Sequence, residues 1–174
     1  MSPPSSMSDR VPLEVEEVFR EFRTCEISTL ARDGSPITWP TLPFWQPRKG
    51  RFLITTSIGL PHKAFNIRRN PRVSLLFSDP TASSLTNPPA VLVQGEAEAP
   101  DEVETTLEGF EEEMRQALRR QPAGAAYSGN PLTRYLFDWY YMRLMIHVTP
   151  RRILWWPAGD FEQVPLEVGL DHVG

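Results

Sequence analysis

The segment from Gly50 to Asp79 constrains the fold most, because it changes from extended to helical character and back within a short span. Residues 51–56 are of types that favour β-strands. Pro61 stands where a helix can begin, and Asn70-Pro71 ends it, because the residue before a proline is disfavoured in the α region. Residues 72–77 alternate as a strand does. The segment therefore predicts a strand, a polar turn, a short basic helix and a second strand.

The polar turn and the helix start together predict an anion cradle. Thr55, Thr56 and Ser57 end the first strand, and His62 and Lys63 follow Pro61 in the first helical turn. Hydroxyl groups, helix-start N–H groups and an ammonium are the donors that bind phosphate. The same residues are also typical of ordinary caps and turns, with a lysine that meets only water. The residues alone leave both interpretations open.

Length and composition exclude several classes of protein. A chain of 174 residues is long enough for one domain with a real core, and a net charge of −4 argues against nucleic-acid binding through bulk charge. A single cysteine rules out an internal disulfide and fits a reducing compartment. No apolar run is long enough to span a membrane, and residues 1–11 lack the apolar stretch of a signal peptide. We expect a cytoplasmic protein with a flexible tail over residues 1–11 and one domain over residues 12–174.

The first half of the chain otherwise predicts a helix followed by strands. Residues 12–23 are amphipathic, and residues 25–31 read as a strand that ends in an Asp33-Gly34 turn. Residues 37–45 form the return strand, but Pro40 and Pro43 restrict it to a sheet edge or a bulge. With the strand that begins at Arg51, these elements predict an antiparallel meander.

The second half predicts two more strands and a longer helix. Residues 79–89 are a polar loop, either a surface connection or a flap near the site. Residues 90–99 resume strand character around Gly95, which suggests a bulge or a close backbone approach. The remaining elements are a helix over 101–120, a linker over 121–131, an aromatic-rich segment over 132–142, a strand over 143–148, a turn over 150–152 and a last strand over 153–156.

The chain shows no catalytic motif of its own. Its three histidines have no metal-ligand spacing with Cys25 or with one another, so no metal site is expected. Cys25 lies in an apolar-alternating strand, where a cysteine is usually a small core residue. No nucleophile elbow and no glycine-rich phosphate loop is present. Such a chain suits a bound cofactor that carries the chemistry.

The order of strand, Thr/Ser turn, Lys63-bearing helix, Asn-Pro-Arg and Val-Ser-Leu-Leu-Phe strand resembles the pyridoxamine 5′-phosphate oxidase-like, FMN-binding split-barrel family. The likeness extends to residues 25–44 and 90–98, and more loosely to residues 143–156. It implies a mainly β fold, a six- to seven-stranded antiparallel Greek-key split β-barrel with peripheral helices. It also implies a homodimer with flavin at the subunit interface.

The resemblance also implies the roles of individual residues. Lys63 becomes the principal charge partner of the FMN phosphate, with His62 beside it and hydroxyl or backbone donors from the preceding turn. Trp39 and Phe44 stand where a strict pyridoxamine-phosphate oxidase has an arginine and a lysine, so that activity is not expected. The full set of implied cofactor-binding residues is Trp39, Pro40, Thr41, Leu42, Thr55, Thr56, Ser57, His62, Lys63, Gln94, Arg152 and Trp156.

The function that these roles imply is an FMN-binding oxidoreductase. Hydride passes through the flavin N5 to or from an unidentified small molecule, and no protein acid or base is assigned. One alternative is a reductase that uses 8-hydroxy-5-deazaflavin on the same fold. Others are a non-catalytic flavin-binding protein and a fold relative with an empty site.

Overall fold

The structure, a computed structural model, describes residues 11–104 and 143–170. Within these ranges two α-helices form, α1 (Leu13–Glu21) and α2 (His62–Arg69). The strands are β1 (Cys25–Leu30), β2 (Pro36–Thr41), β3 (Pro43–Gln46), β4 (Arg51–Ser57), β5 (Arg72–Phe77), β6 (Ala90–Glu98), β7 (Val103–Glu104), β8 (Arg143–Trp156) and β9 (Leu166–Glu167). The predicted linker over 121–131 and the aromatic segment over 132–142 lie outside the described residues.

The strands form one antiparallel sheet in the order β2-β1-β5-β6-β8-β4-β3, and β7 and β9 each pair with β8. The two edge strands, β2 and β3, are separated in the chain only by Leu42. Because consecutive Cα atoms lie about 3.8 Å apart, the sheet must curl until its edges approach each other. This curled sheet confirms the predicted mainly β split-barrel fold, and the proline-containing return strand occupies sheet edges as expected.

Helix α1 is held against the sheet by an aromatic cluster. The Phe19 ring centroid lies 4.8 Å from that of Phe52, 5.1 Å from Phe77 and 5.3 Å from Trp45. Glu16 is buried beside this cluster, where it accepts a hydrogen bond from the Trp45 indole at 3.3 Å and pairs with Arg20 at 2.7 Å. Each fully buried aromatic ring contributes about 1.5–3 kcal/mol. The helix therefore packs against the main core, and the buried carboxylate of Glu16 has hydrogen-bond and ion-pair partners.

Strand β8 departs from the prediction of a turn at residues 150–152. It continues as one strand from Arg143 to Trp156, and the register shifts opposite Gln94 and Gly95, so that Arg151 is the extra residue. A β-carbon on Gly95 would lie 2.3 Å from the Thr149 carbonyl oxygen, which explains the glycine. The predicted turn was wrong because a bulge at Arg151 lets the strand continue through Pro150, which pairs with Gly95, whereas the predicted bulge and close approach at Gly95 are confirmed.

Two predicted boundaries also change. Residues 103–104 pair with β8 as strand β7, so the helix predicted from Asp101 does not begin there, and its remainder lies outside the described residues. Val11 is 6% exposed and belongs to the core, so the last residue of the predicted flexible tail is packed against the domain. Among the described residues, no helix is long and apolar enough to cross a membrane.

Candidate functional site

The predicted cradle is a tight turn between β4 and α2. The Thr56 hydroxyl donates to the Leu60 carbonyl at 3.0 Å, and the Ser57 hydroxyl accepts from the Gly59 N–H at 3.2 Å. A third bond joins the Leu60 N–H to the Ser57 carbonyl at 3.0 Å. The Thr56 proton is therefore used inside the turn, whereas the hydroxyls of Thr55 and Ser57 donate to no acceptor within residues 11–104 and 143–170.

Lys63 lies in the first turn of α2, shortly after this turn in the chain. Its ammonium lies over the ring of Trp39, 5.6 Å from the centroid, which joins α2 to the edge strand β2. The side chain is half-buried, and this burial lowers the pKa of the Lys63 ammonium, because desolvation disfavours the charged form. Within the described ranges, Lys63 meets no carboxylate.

The two arginines of α2 are engaged elsewhere. Arg68 donates to the carbonyls of Ala99 and Pro100 at 2.7 Å each, which ties the helix to the end of β6. Arg69 donates to the Asn66 side chain, and Asn66 in turn donates to the Thr29 hydroxyl at 2.9 Å. These contacts position α2, so Lys63 is the α2 side-chain cation that a ligand can reach.

Arg143 is a candidate that the sequence reasoning missed. It lies directly opposite Ser57 in the pairing of β4 with β8, and directly opposite residues have β-carbons about 4.5–5.5 Å apart. It is a partly buried residue at the start of a strand, and only the pairing of two distant segments identifies it. The cradle therefore has a second cation within reach of its hydroxyls.

The register places the predicted site residues on both faces of the sheet. Trp39 shares a row with Ile27, Leu75, Val93 and Ile153, which are all fully buried, so its side chain is on the core-facing side. The adjacent row carries Gln94 and Arg152 on the outer face, in line with Thr38, Ser28 and Ser74. The sheet itself therefore stands between Trp39 and the pair Gln94–Arg152 within one chain.

The other residues of the predicted segment 39–42 also lie on both faces of the sheet. Pro40 is exposed on the outer side, and Thr41 is 9% exposed on the core side. Leu42 packs against a second small apolar cluster of Phe44, Leu53 and Met145. The pairing of Pro43 with Ile54 brings Leu42 alongside Thr55, so this part of the segment does adjoin the cradle strand.

The late residues Arg152 and Trp156 each have a partner in the C-terminal segment. Arg152 forms a bidentate ion pair with Glu167, with both N–O distances 3.0 Å, and this pairing lowers the pKa of the Glu167 carboxyl. Trp155 is 8% exposed and belongs to the core, whereas Trp156 faces outward and packs against Phe161 with ring centroids 5.3 Å apart. The two tryptophans therefore take opposite faces, as the alternation predicts.

Cysteine and histidine chemistry adds no second candidate. Cys25 is 1% exposed, and burial raises the pKa of its thiol, which confirms a core role. Burial lowers the pKa of His147, and the positive charges of Arg51 and Lys49 lower it further. The buried Nδ1 of His147 has no hydrogen-bond partner among the described residues. Residues 11–104 and 143–170 contain no group of three or more metal-ligating side chains.

A family model described as pyridoxamine 5′-phosphate oxidase matches residues 11–136. The chain belongs to the pyridoxamine 5′-phosphate oxidase family. The match includes β1 to β6 and both helices, and thus the whole Lys63 cradle except Arg143. The resemblance inferred from the residues is therefore confirmed. No curated protein matches the sequence.

Solved structures share the fold at low identity. An F420 reductase is 21% identical, with a TM-score of 0.56 over 82% of this chain and 98% of that chain. A FAD-binding protein from Mesorhizobium loti is 19% identical, with a TM-score of 0.50 over 81% and 88%. A heme binding protein from Mycobacterium smegmatis is 17% identical, with a TM-score of 0.55 over 91% of this chain and 58% of that one. One fold thus occurs in proteins named for three different cofactors, so the fold alone does not decide the ligand.

Proposed function

We propose that the protein is an FMN-binding oxidoreductase that passes a hydride to or from a small molecule and works as a homodimer in the cytoplasm. The observation that carries the proposal is Lys63, a half-buried cation that meets a tryptophan ring but, in the described part of the chain, no carboxylate. A phosphate group supplies the missing counter-charge through charge-assisted hydrogen bonds.

The residues of the β4–α2 turn and of the facing start of β8 are of types that bind a phosphate. The hydroxyls of Thr55 and Ser57 retain protons, and Arg143 lies opposite Ser57. The first N–H groups of α2 have no acceptor within their own helix, so His62 and Lys63 also offer backbone donors. The His62 side chain is exposed and adds a further donor. These groups hold and orient the phosphate end, while flavin, when bound, supplies hydride transfer at its N5.

A homodimer explains why the implied site residues lie on two faces. Gln94 and Arg152 are on the outer face of the sheet, whereas Trp39 and Lys63 meet at its core-facing edge. A single chain does not bring these groups to one ligand. We infer that the outer-face residues Gln94, Arg152 and Trp156 border the flavin site of the partner subunit, away from its phosphate.

A second candidate cofactor is 8-hydroxy-5-deazaflavin, favoured by the shared fold with an F420 reductase. That cofactor also carries phosphate, so the Lys63 cradle suits both. It accepts electrons only in pairs, as a hydride, whereas FMN also passes single electrons. A non-catalytic flavin-binding protein is the remaining alternative, and it differs only in lacking turnover.

The phosphate proposal is tested by titrating FMN and riboflavin, which share a ring system but differ in the phosphate, into the purified protein. We expect FMN to bind more tightly, and Lys63→Ala to weaken FMN binding roughly ten- to hundredfold while riboflavin is unaffected. Lys49→Ala removes an exposed cation outside the cradle and is the matched control. Equal affinities for FMN and riboflavin in the wild-type protein would place the ligand elsewhere.

The cofactor and the activity need separate measurements. The absorption spectrum of the purified protein distinguishes FMN, deazaflavin and haem, and a Soret band would contradict any flavin assignment. Anaerobic addition of NADPH to the FMN-loaded protein then separates the two flavin functions. Bleaching of the flavin absorbance supports the oxidoreductase, whereas unchanged absorbance with NADPH and NADH favours the non-catalytic binder.

A further inference from the structure

We propose that a cavity at the other end of the sheet, away from the β4–α2 turn of the same chain, binds a neutral, ring-containing small molecule. The cavity measures about 440 Å³ and lies between the end of α1, the loop over residues 78–90 and the segment after β8. Residues of its wall include Phe22, Thr81, Leu85, Asn87, Ala158 and Phe161. We call it the loop cavity.

The loop cavity is separate from the β4–α2 turn within one chain. The turn adjoins the start of β8, where Ser57 pairs with Arg143, whereas the cavity adjoins its far end, where Ala90 pairs with Trp156. The 14-residue length of β8 lies between these two ends. A molecule in the cavity therefore does not touch the cradle of the same chain.

The walls of the loop cavity are preformed. All three non-glycine residues with positive φ in the described ranges border it or belong to its loop: Ala82 (φ 60°), Asn87 (φ 47°) and Ala158 (φ 52°). Such conformations persist where the surroundings fix them, and they concentrate at ligand sites. Arg23 donates to the Ala82 carbonyl at 3.0 Å, and Ser84 donates to Glu21 at 3.1 Å, so the loop is tied to α1.

The chemistry of the wall selects an uncharged ligand. The lining side chains are apolar or neutral, and Asn87 supplies an amide group. The Ser78 hydroxyl already donates to Glu26 at 3.5 Å, and the Thr81 side chain hydrogen-bonds Asp79. The flanking carboxylates are occupied in their own turns. Asp79 accepts from the Thr81 N–H at 2.9 Å, and Asp160 accepts from the Glu162 N–H at 3.0 Å. Because the described residues of the wall include no cation, an anion loses solvation on entry and gains no partner from them.

The aromatic residues favour a flat ring. Phe22 is fully buried at the base of the cavity, and Phe161 is 58% exposed at its rim, where it packs on Trp156. A large exposed aromatic side chain beside a concave wall is the arrangement that a ring-containing ligand covers. The volume is within the usual range of small-molecule sites.

The test compares two fluorescent probes that share one ring skeleton, neutral N-phenylnaphthylamine and its anionic analogue anilinonaphthalenesulfonate. We expect the full-length protein to bind one neutral probe per chain and to bind the anion at least roughly tenfold more weakly. Phe161→Ala should weaken the neutral probe roughly tenfold. Val164→Ala, which removes an even more exposed apolar side chain from the same segment, should leave the affinity unchanged.

A second variant and a competing ligand test whether the probe binds in the loop cavity. Thr81→Trp, at an exposed wall position, fills the cavity and should abolish binding of the neutral probe. Lys63→Ala should have no effect, which distinguishes a failure of this proposal from a failure of the flavin site. Probe binding that is unchanged in both Phe161→Ala and Thr81→Trp, or that FMN displaces stoichiometrically, would overturn the proposal.

Discussion

The ammonium of Lys63 lies over the indole ring of Trp39, 5.6 Å from its centroid. This contact joins the start of α2 to the middle of the edge strand β2, and it places a cation against an aromatic ring at the rim of the curled sheet. A cation–π contact at a partly desolvated site is worth about 1–2 kcal/mol, which is less than a charge-assisted bond to phosphate. Trp39 therefore holds Lys63 in place without preventing it from meeting a stronger partner.

The first prediction concerns pH. In the proposed site, the FMN phosphate pairs with charged Lys63, and burial lowers the pKa of this ammonium. The affinity for FMN should therefore fall as pH rises through that lowered pKa, earlier than for an exposed lysine. Lys63→Arg should keep its affinity in alkaline solution, because a guanidinium stays protonated. Titrations of FMN across alkaline pH measure both curves, and identical alkaline losses in the two proteins would show that another group controls binding.

The second prediction concerns the bulge between β6 and β8. Gly95→Ala puts a methyl group against the Thr149 carbonyl, where a β-carbon would lie 2.3 Å away. Because the atoms that the methyl group meets belong to the backbone of Thr149 and Pro150, relief requires strand movement, and we expect a loss of about 1–3 kcal/mol in the free energy of unfolding. Gly169→Ala is the matched control, since nothing lies within 4 Å of its β-carbon position. Urea denaturation of both variants tests this, and equal stabilities would mean that the strands tolerate the methyl group.

The sequence predicted the local elements of this fold well and their mutual placement poorly. Alternation, prolines and the Asn70-Pro71 break identify α2 and its flanking strands, because these signals act within a few residues. Pro150 misled the prediction because a proline next to two arginines also suits a turn. Its place in a continuous strand depends on a bulge opposite Gly95, far away in the chain.

The same limit applies to the candidate site. Lys63 and its turn are contiguous in sequence, so residue chemistry locates them. Arg143 becomes a candidate only through its register opposite Ser57. The face on which Gln94 or Trp39 lies also depends on register, since a shift of one residue exchanges the faces. Sequence patterns therefore predict the cradle but do not reveal that the implied ligand contacts lie on two sides of the sheet.

The third prediction is that each flavin site draws on two chains. Light scattering should give about twice the chain mass of 19.9 kDa. Lys63→Ala and Trp156→Ala should each weaken FMN binding, but a refolded equimolar mixture should recover tight binding in about one site in four, since one site of each mixed dimer is intact. A monomeric mass, or no recovery on mixing, would count against a shared site. Each variant refolded alone is the control.

The last prediction is that the protein lacks appreciable pyridoxamine 5′-phosphate oxidase activity, although it belongs to that family. The reaction requires cations for a second phosphate, that of the substrate. Phe44 is 5% exposed in an apolar cluster, so the position where the strict oxidase has a lysine is closed to solvent. The late arginines are already paired, Arg151 with Glu96 at 2.7 Å and Arg152 with Glu167 at 3.0 Å.

The ion pairs of Arg151 and Arg152 limit how either guanidinium can bind a substrate phosphate. Because each arginine already has a carboxylate partner, a substrate phosphate must compete with that carboxylate for the same guanidinium donors. The FMN-loaded wild-type protein should therefore form pyridoxal 5′-phosphate far below about one turnover per second. Glu167→Gln frees Arg152 and is the variant in which a weak activity would rise, whereas Glu162→Gln removes a neighbouring acid that has no arginine partner among the described residues. Turnover near one per second by the wild-type protein would show that other cations hold the substrate and that Trp39 and Phe44 do not limit the reaction.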